Sequence, residues 1–133
     1  MFLHPKIINE LMKYKKGEDI PNPDFCIELD IIFNKKKVVI TSRSVSHILQ
    51  KKKVGIILIN LITDCISKHT IVFISDKWSN HENPRYILLG AKLNKEKHSA
   101  VVIEYDEIGD CYFVVTAMVS KEKYLSRKYK KLR

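Results

Sequence analysis

A chain of 133 residues that is 45% hydrophobic has material for one core and one compact domain, and is too aliphatic for a disordered basic protein. Lys and Arg outnumber Asp and Glu by 24 to 15, and the formal charge of +9 points to a polyanionic partner. Cys26, Cys65 and Cys111 are odd in number and widely spaced, which argues against a disulfide framework and for reduced thiols in the cytoplasm. The five histidines have no metal-ligand spacing and the four glycines form no phosphate-binding loop, so neither a metal nor a cofactor is expected.

Taken in chain order, residues 4–16 read as a first helix, with Pro5 in its opening turn and Ile7, Ile8, Leu11 and Met12 on one stripe. Residues 17–24, with Gly17, Pro21 and Pro23, read as a linker. Phe25, Ile27, Leu29, Ile31 and Phe33 then alternate with more polar neighbours, as a half-buried strand does. A turn around Lys35–Lys37 suggests a hairpin with the following Val-Val-Ile-Thr. Thr41, Ser42 and Ser44 offer hydroxyls for a helix start, with Val45, Ile48 and Leu49 at helical spacing and His47 on their flank. The apolar stretch Val54–Ile62 is about half a bilayer span and contains Asn60, so it reads as part of a buried helix and not as a membrane segment. Leu58, Leu61, Ile62, Cys65 and Ile66 form its apolar face.

Four strand-like runs follow: Thr70–Ser75, Arg85–Leu93, Ser99–Asp106 and Cys111–Val119. Turns are expected at Lys77–Pro84, Asn94–Lys97 and Glu107–Asp110. The chain ends in Ser120–Arg133, where seven Lys or Arg face one Glu, an excess of six out of the total +9. The expected fold is therefore α+β, one domain over 1–133. Two or three N-terminal helices pack on one face of a four- or five-stranded antiparallel sheet. A helix-plus-meander core spans 38–120 and a basic C-terminal tail spans 120–133.

With Leu93 facing His98 and Asp106 facing Cys111, strict alternation sorts the meander onto two faces. Ile87, Leu89, Ala91, Ala100, Val102, Phe113, Val115 and Ala117 form the face expected under the helices, where Glu104 is the misfit. The other carries Tyr86, Leu88, Gly90, Lys92, Ser99, Val101, Ile103, Tyr105, Tyr112, Val114, Thr116 and Met118, and is the expected working surface. Tyr86 and Tyr112 there are candidate stacking platforms for bases, although ordinary cross-strand packing accounts for them better. Lys121, Lys123, Arg127, Lys128, Lys130 and Lys131 are the candidate phosphate contacts. RNA is the partner this combination suits.

The order of a histidine-bearing helix (Ser44–Leu49), an apolar helix, Asn83-Pro84-Arg85-Tyr86-Ile87 opening a meander, and Val114–Leu125 resembles the barnase–EndoU–colicin–RelE-like ribonuclease superfamily, and within it the phage-encoded nuclease-like branch. The resemblance covers roughly 38–125 and implies metal-independent RNA cleavage leaving a 2′,3′-cyclic phosphate. It matches His47 to the helix histidine, Arg85 and Lys92 to basic positions early in the meander, and Thr116 to a late-strand hydroxyl. No second histidine matches, since His98 falls at a turn, so the leaving-group acid is unassigned. Three functions are thus expected. The first is a small endoribonuclease, a toxin or mobile-element effector with an acidic inhibitor or immunity protein as partner. The second is a non-catalytic RNA- or DNA-binding module on the same fold. The third is a protein-interaction domain for an acidic regulator. The oligomeric state is left open.

Overall fold

The computed structural model describes residues 26–50, 53–75 and 85–132. The expected helix at 4–16, the linker at 17–24 and the turn at Lys77–Pro84 lie outside them. The described chain forms a seven-stranded sheet in the order β1-β2-β6-β5-β4-β3-β7. It replaces the expected four- or five-stranded antiparallel sheet, because two additional pairings extend the meander at its two sides.

The first addition is a hairpin, β1 (Cys26–Phe33) with β2 (Lys36–Thr41). Ile27, Leu29, Ile31 and Phe33 are buried while their neighbours are exposed, as the alternation requires. Asn34 and Lys35 form the two-residue turn, and both have the positive φ that tight hairpins demand, 50° and 64°. β2 then runs parallel to β6 (Cys111–Lys121), Val38 opposite Tyr112 and Val39 opposite Phe113. The second addition is β7 (Lys130–Lys131), which pairs antiparallel with β3 (Ile71–Ser75). Between the additions, β3, β4 (Arg85–Lys92), β5 (Lys97–Asp106) and β6 form the expected antiparallel meander.

Three helices are described, and they cover both faces of the sheet. Helix α1 (Ser42–Leu49) starts where Thr41 Oγ1 accepts from Ser44 N, and Ser44 Oγ donates to Val114 O at 2.5 Å, tying the helix start to β6. Helix α2 (Lys53–Lys68) buries Leu58, Ile59, Ile62, Cys65 and Ile66. These two helices share one core with Leu88, Val101, Ile103, Tyr112, Val114 and Ala117. Helix α3 (Glu122–Lys128) lies on the opposite side, where Leu125 joins Phe73, Ile87, Leu89, Ala100 and Val102 in a second core. The expected faces are thus exchanged. The set expected to be a working surface is the principal core, and the set expected under the N-terminal helices is covered by the C-terminal one. The basic tail is likewise not a tail, because Leu125 is fully buried and Leu132 N donates to Val72 O at 2.7 Å.

Two bulges account for the residues that changed sides. Leu89 pairs with Ala100 and Lys92 with His98, so Gly90 and Ala91 together oppose Ser99. Ile103 pairs with Val114 and Val102 with Thr116, so Val115 is the extra residue on β6. Beyond each bulge the alternation is inverted. Lys92 and Thr116 move to the α3 side, and Ala117 moves under α1 and α2.

Gly90 also sets the distance between α2 and the sheet. A Cβ there would lie 2.8 Å from Cys65 Sγ, 2.9 Å from Ser99 Oγ and 3.2 Å from Cys65 Cα. Gly90→Ala is expected to destabilise the fold by about 1–3 kcal/mol through overpacking. Combining it with Cys65→Ala should cost less than the two changes summed, because Sγ is one of the clashing atoms. Urea unfolding of the four proteins measures both quantities.

Candidate nucleic-acid interface

The β4–β5 turn, the end of β6 and α3 meet on the α3 side of the sheet. Leu93 N donates to Lys97 O at 2.7 Å, which tightens the turn. In register, Lys92 of β4 opposes His98 of β5, and His98 opposes Ser120 of β6. A cleft of about 430 Å³ opens over this row, lined by Lys92, Lys95, Glu96 and His98 from the sheet side and by Lys121, Glu122, Lys123 and Ser126 from the chain end. His98 is half-buried, and its Nδ1 lies 2.9 Å from Gly90 O. A carbonyl only accepts, so Nδ1 carries the hydrogen and Nε2 is the acceptor nitrogen of the neutral ring.

The charges around the cleft are incompletely balanced. Lys121 Nζ is 3.5 Å from Glu96, and Lys131 Nζ is 3.7 Å from Glu122. Lys92, Lys95 and Lys123 have no ion pair among the described residues. Lys123, Arg127, Lys128, Lys130 and Lys131 are all exposed, and Lys128 Nζ sits 4.5 Å from the centre of the Tyr124 ring. The Tyr124 hydroxyl raises the pKa of Lys128, which keeps that ammonium charged.

The residues expected to be catalytic are not brought together. His47 is exposed on α1, which packs on the opposite face of the sheet through Val45 and Ile48. Thr116 is half-buried opposite Val102, four residues along β5 from His98 or about 13 Å, and its Oγ1 donates to Ala117 O at 3.4 Å. Arg85 stands at the far end of β4 from Lys92, seven residues or about 23 Å away, and its Nε donates to Glu104 at 2.8 Å. That pair explains the misfit glutamate, since Arg85 and Glu104 are also directly opposed across the strands. Lys92, Lys121 and Lys123 do converge. His98 joins them, and its signal in the sequence was concealed by the bulge at Gly90 and Ala91.

The expected stacking platforms belong to the core. Tyr112 is 6% exposed, and its ring meets Phe33, Tyr86 and Tyr105 at centroid distances of 5.2, 5.9 and 5.5 Å. Asn34 Nδ2 donates to its hydroxyl at 3.1 Å. Tyr86 also contacts Phe33, at 5.6 Å, and burial raises its pKa. Both rings are engaged in tilted and edge-on packing with their aromatic neighbours. At the rim of this cluster the Tyr105 hydroxyl donates to Asp110, which pushes the Tyr105 pKa up to about 12, and Lys36 holds the Asp110 carboxylate at 2.8 Å. The Lys36 and Tyr105 hydrogen bonds lower the pKa of Asp110.

Among the described residues no group of three His, Cys, Asp or Glu is arranged to hold a metal ion, and no helix is long and apolar enough to cross a membrane. Comparison of the chain with family models, with curated proteins and with solved structures yields no match.

Two measurements check these assignments. Arg85→Ala is expected to lower stability by about 1–2 kcal/mol, since Glu104 is only part-exposed, while leaving RNA affinity unchanged. Asp110→Asn should return Tyr105 toward the ordinary phenol range, seen as phenolate absorbance appearing at lower pH. The sign follows from linkage: a raised phenol pKa stabilises the fold below the ordinary value and loses that contribution as pH climbs through about 12. The depressed Asp110 carboxyl acts at the other end, stabilising above the ordinary carboxylate range and losing its contribution as pH falls through the folded-state value.

Proposed function

We propose that this protein is a nucleic-acid-binding module that grips RNA through its C-terminal cationic surface, without cleaving it. The observation that carries the reading is the anchoring of the charged chain end. Buried Leu125 fixes α3, with Lys123, beside the lysines of the β4–β5 turn, and the β7 pairing fixes Lys130–Lys131 along the outer edge of β3. Charges held on one surface bind phosphates without the ordering cost that a loose tail incurs. The binding reading is preferred to cleavage because His47, Arg85, Lys92 and Thr116 stand at separate places, and acid–base catalysis needs its groups within hydrogen-bond reach of one reacting centre.

Replacing Arg127, Lys128, Lys130 and Lys131 by Gln tests the grip, since all four side chains are exposed. Affinity for a hydroxyl-ended single-stranded RNA is expected to fall about tenfold or more. The slope of log affinity against log salt should flatten by up to about 3, from four lost contacts. Circular dichroism should be unchanged. Unaltered affinity and slope would remove the C-terminal surface from the interface. Turnover of RNA by the purified parent, lost in His47→Ala, would replace the binding reading by the nuclease one.

A further inference from the structure

We propose that the cleft between the β4–β5 turn and α3 is a seat for a terminal phosphate, taking the phosphomonoester end of a nucleic-acid strand in preference to its internal diesters. This deepens the nucleic-acid reading above and rests on it.

Charge is the first argument. Four lysines (Lys92, Lys95, Lys121 and Lys123) and two glutamates (Glu96 and Glu122) line the cleft, so its lining carries 4 − 2 = +2. A phosphomonoester carries about −1.5 to −2 near neutral pH, while each internal diester carries a single charge. The two carboxylates are drawn toward other partners, Glu122 to Lys131 outside the cleft and Glu96 to Lys121. The Lys121–Glu96 pair is 51% and 73% exposed on its two sides and opens at little cost, which frees Lys121 for a ligand.

The second argument is the orientation of His98. Its Nδ1–H is committed to Gly90 O, which leaves Nε2 as the ring nitrogen available to a ligand in the cleft. With a proton on Nε2 the ring donates to a phosphate oxygen, and the end group, with close to two negative charges on three terminal oxygens, is a stronger acceptor than an internal diester with one. The charged and titratable groups around His98 are Lys92 across the strand pair, Lys95 and Glu96 from the turn, and Lys121, Glu122 and Lys123 from the chain end.

The third argument is size. About 430 Å³ is in the range of small-ligand pockets and accommodates one nucleotide-sized group. Lys123 of α3 lines the cleft, and Arg127 and Lys128 are exposed further along the same helix.

The test is fluorescence anisotropy at fixed salt with one short single-stranded RNA prepared in three forms: 5′-phosphate, 3′-phosphate and hydroxyl at both ends. For the parent, one phosphorylated form should bind about fivefold or more tightly than the hydroxyl form, and which one it is identifies the end recognised. Lys92→Gln with Lys123→Gln should abolish that advantage, so that the three RNAs bind alike at whatever common affinity the variant retains. Equal affinity of the parent for all three RNAs would overturn the proposal and leave the nucleic-acid reading standing. If the parent binds none of them, that reading fails, and titration of a nucleoside monophosphate monitored by NMR decides the seat by itself. Shifts at His98 that disappear in the Lys92→Gln, Lys123→Gln protein keep the seat, and their absence overturns it.

Discussion

Hydrogen bonding on both edges of β6 is the constraint on which the rest of this molecule depends. Its start pairs in parallel with β2, and its whole length pairs antiparallel with β5. Without the first pairing, the β1–β2 hairpin would be a separate two-stranded unit, which is marginal in water. With it, the hairpin contributes Ile27, Leu29, Ile31, Phe33, Val38 and Ile40 to the core under α1 and α2. The helix start is tied to the same strand, through Ser44 Oγ and Val114 O. One strand therefore joins the hairpin, the first helix and the meander.

Burial on both faces follows from this arrangement and determines where chemistry can sit. Leu88, Val101, Ile103 and Val114 pack toward α1 and α2, while Ile87, Leu89, Ala100 and Val102 pack toward Leu125 of α3. Neither sheet face is left open at its centre. Lys92, His98, Lys121 and Lys123 converge at the end of the sheet, where the β4–β5 turn reaches the start of α3. The bulge at Gly90 and Ala91 serves both sides there. Gly90 admits Cys65 of α2 on one face, and the inverted alternation beyond it turns Lys92 toward α3 on the other. Cys65 is correspondingly inert: burial pushes its pKa up to about 12, and its thiol donates to Leu88 O at 3.3 Å.

Positive charge is distributed in two different ways. Arg85 and Lys36 are held by carboxylates of the fold, Arg85 by Glu104 in a part-buried pair and Lys36 by Asp110 in an exposed one. The C-terminal cations are exposed, and their nearest acids hold them only loosely. β7 adds a protective function, because two lysines on the outer strand discourage further strand addition at that edge. The same residues thus guard a sheet edge and extend a surface suited to phosphates.

Local signals in the sequence were sufficient for most elements. Period-2 alternation marked β1, hydroxyls at Thr41 and Ser44 marked the start of α1, and the 58, 62, 65, 66 spacing marked the buried stripe of α2. The four meander strands and the direction of their pairing were legible because short turns connect three of them. The parallel neighbour of β6 was not legible, because Val38 and Tyr112 are far apart in the chain and no turn encodes their contact. A two-residue, all-lysine strand such as β7 carries no apolar pattern at all. The candidate site divides the same way. Concentrated charge at the chain end was plain from the sequence, which also offered Lys92, Lys121 and Lys123 as candidate phosphate contacts. Which side of the sheet Lys92 and Thr116 occupy depends on bulges, and one extra residue inverts every later side chain. By itself, then, the sequence determined β1 to β6, the first two described helices and the sign of the surface, since these rest on neighbours within a few residues. Tertiary structure alone decided which face is core, that Tyr86 and Tyr112 are packing residues, and that His98 rather than His47 stands among the lysines, since each depends on contacts between distant segments.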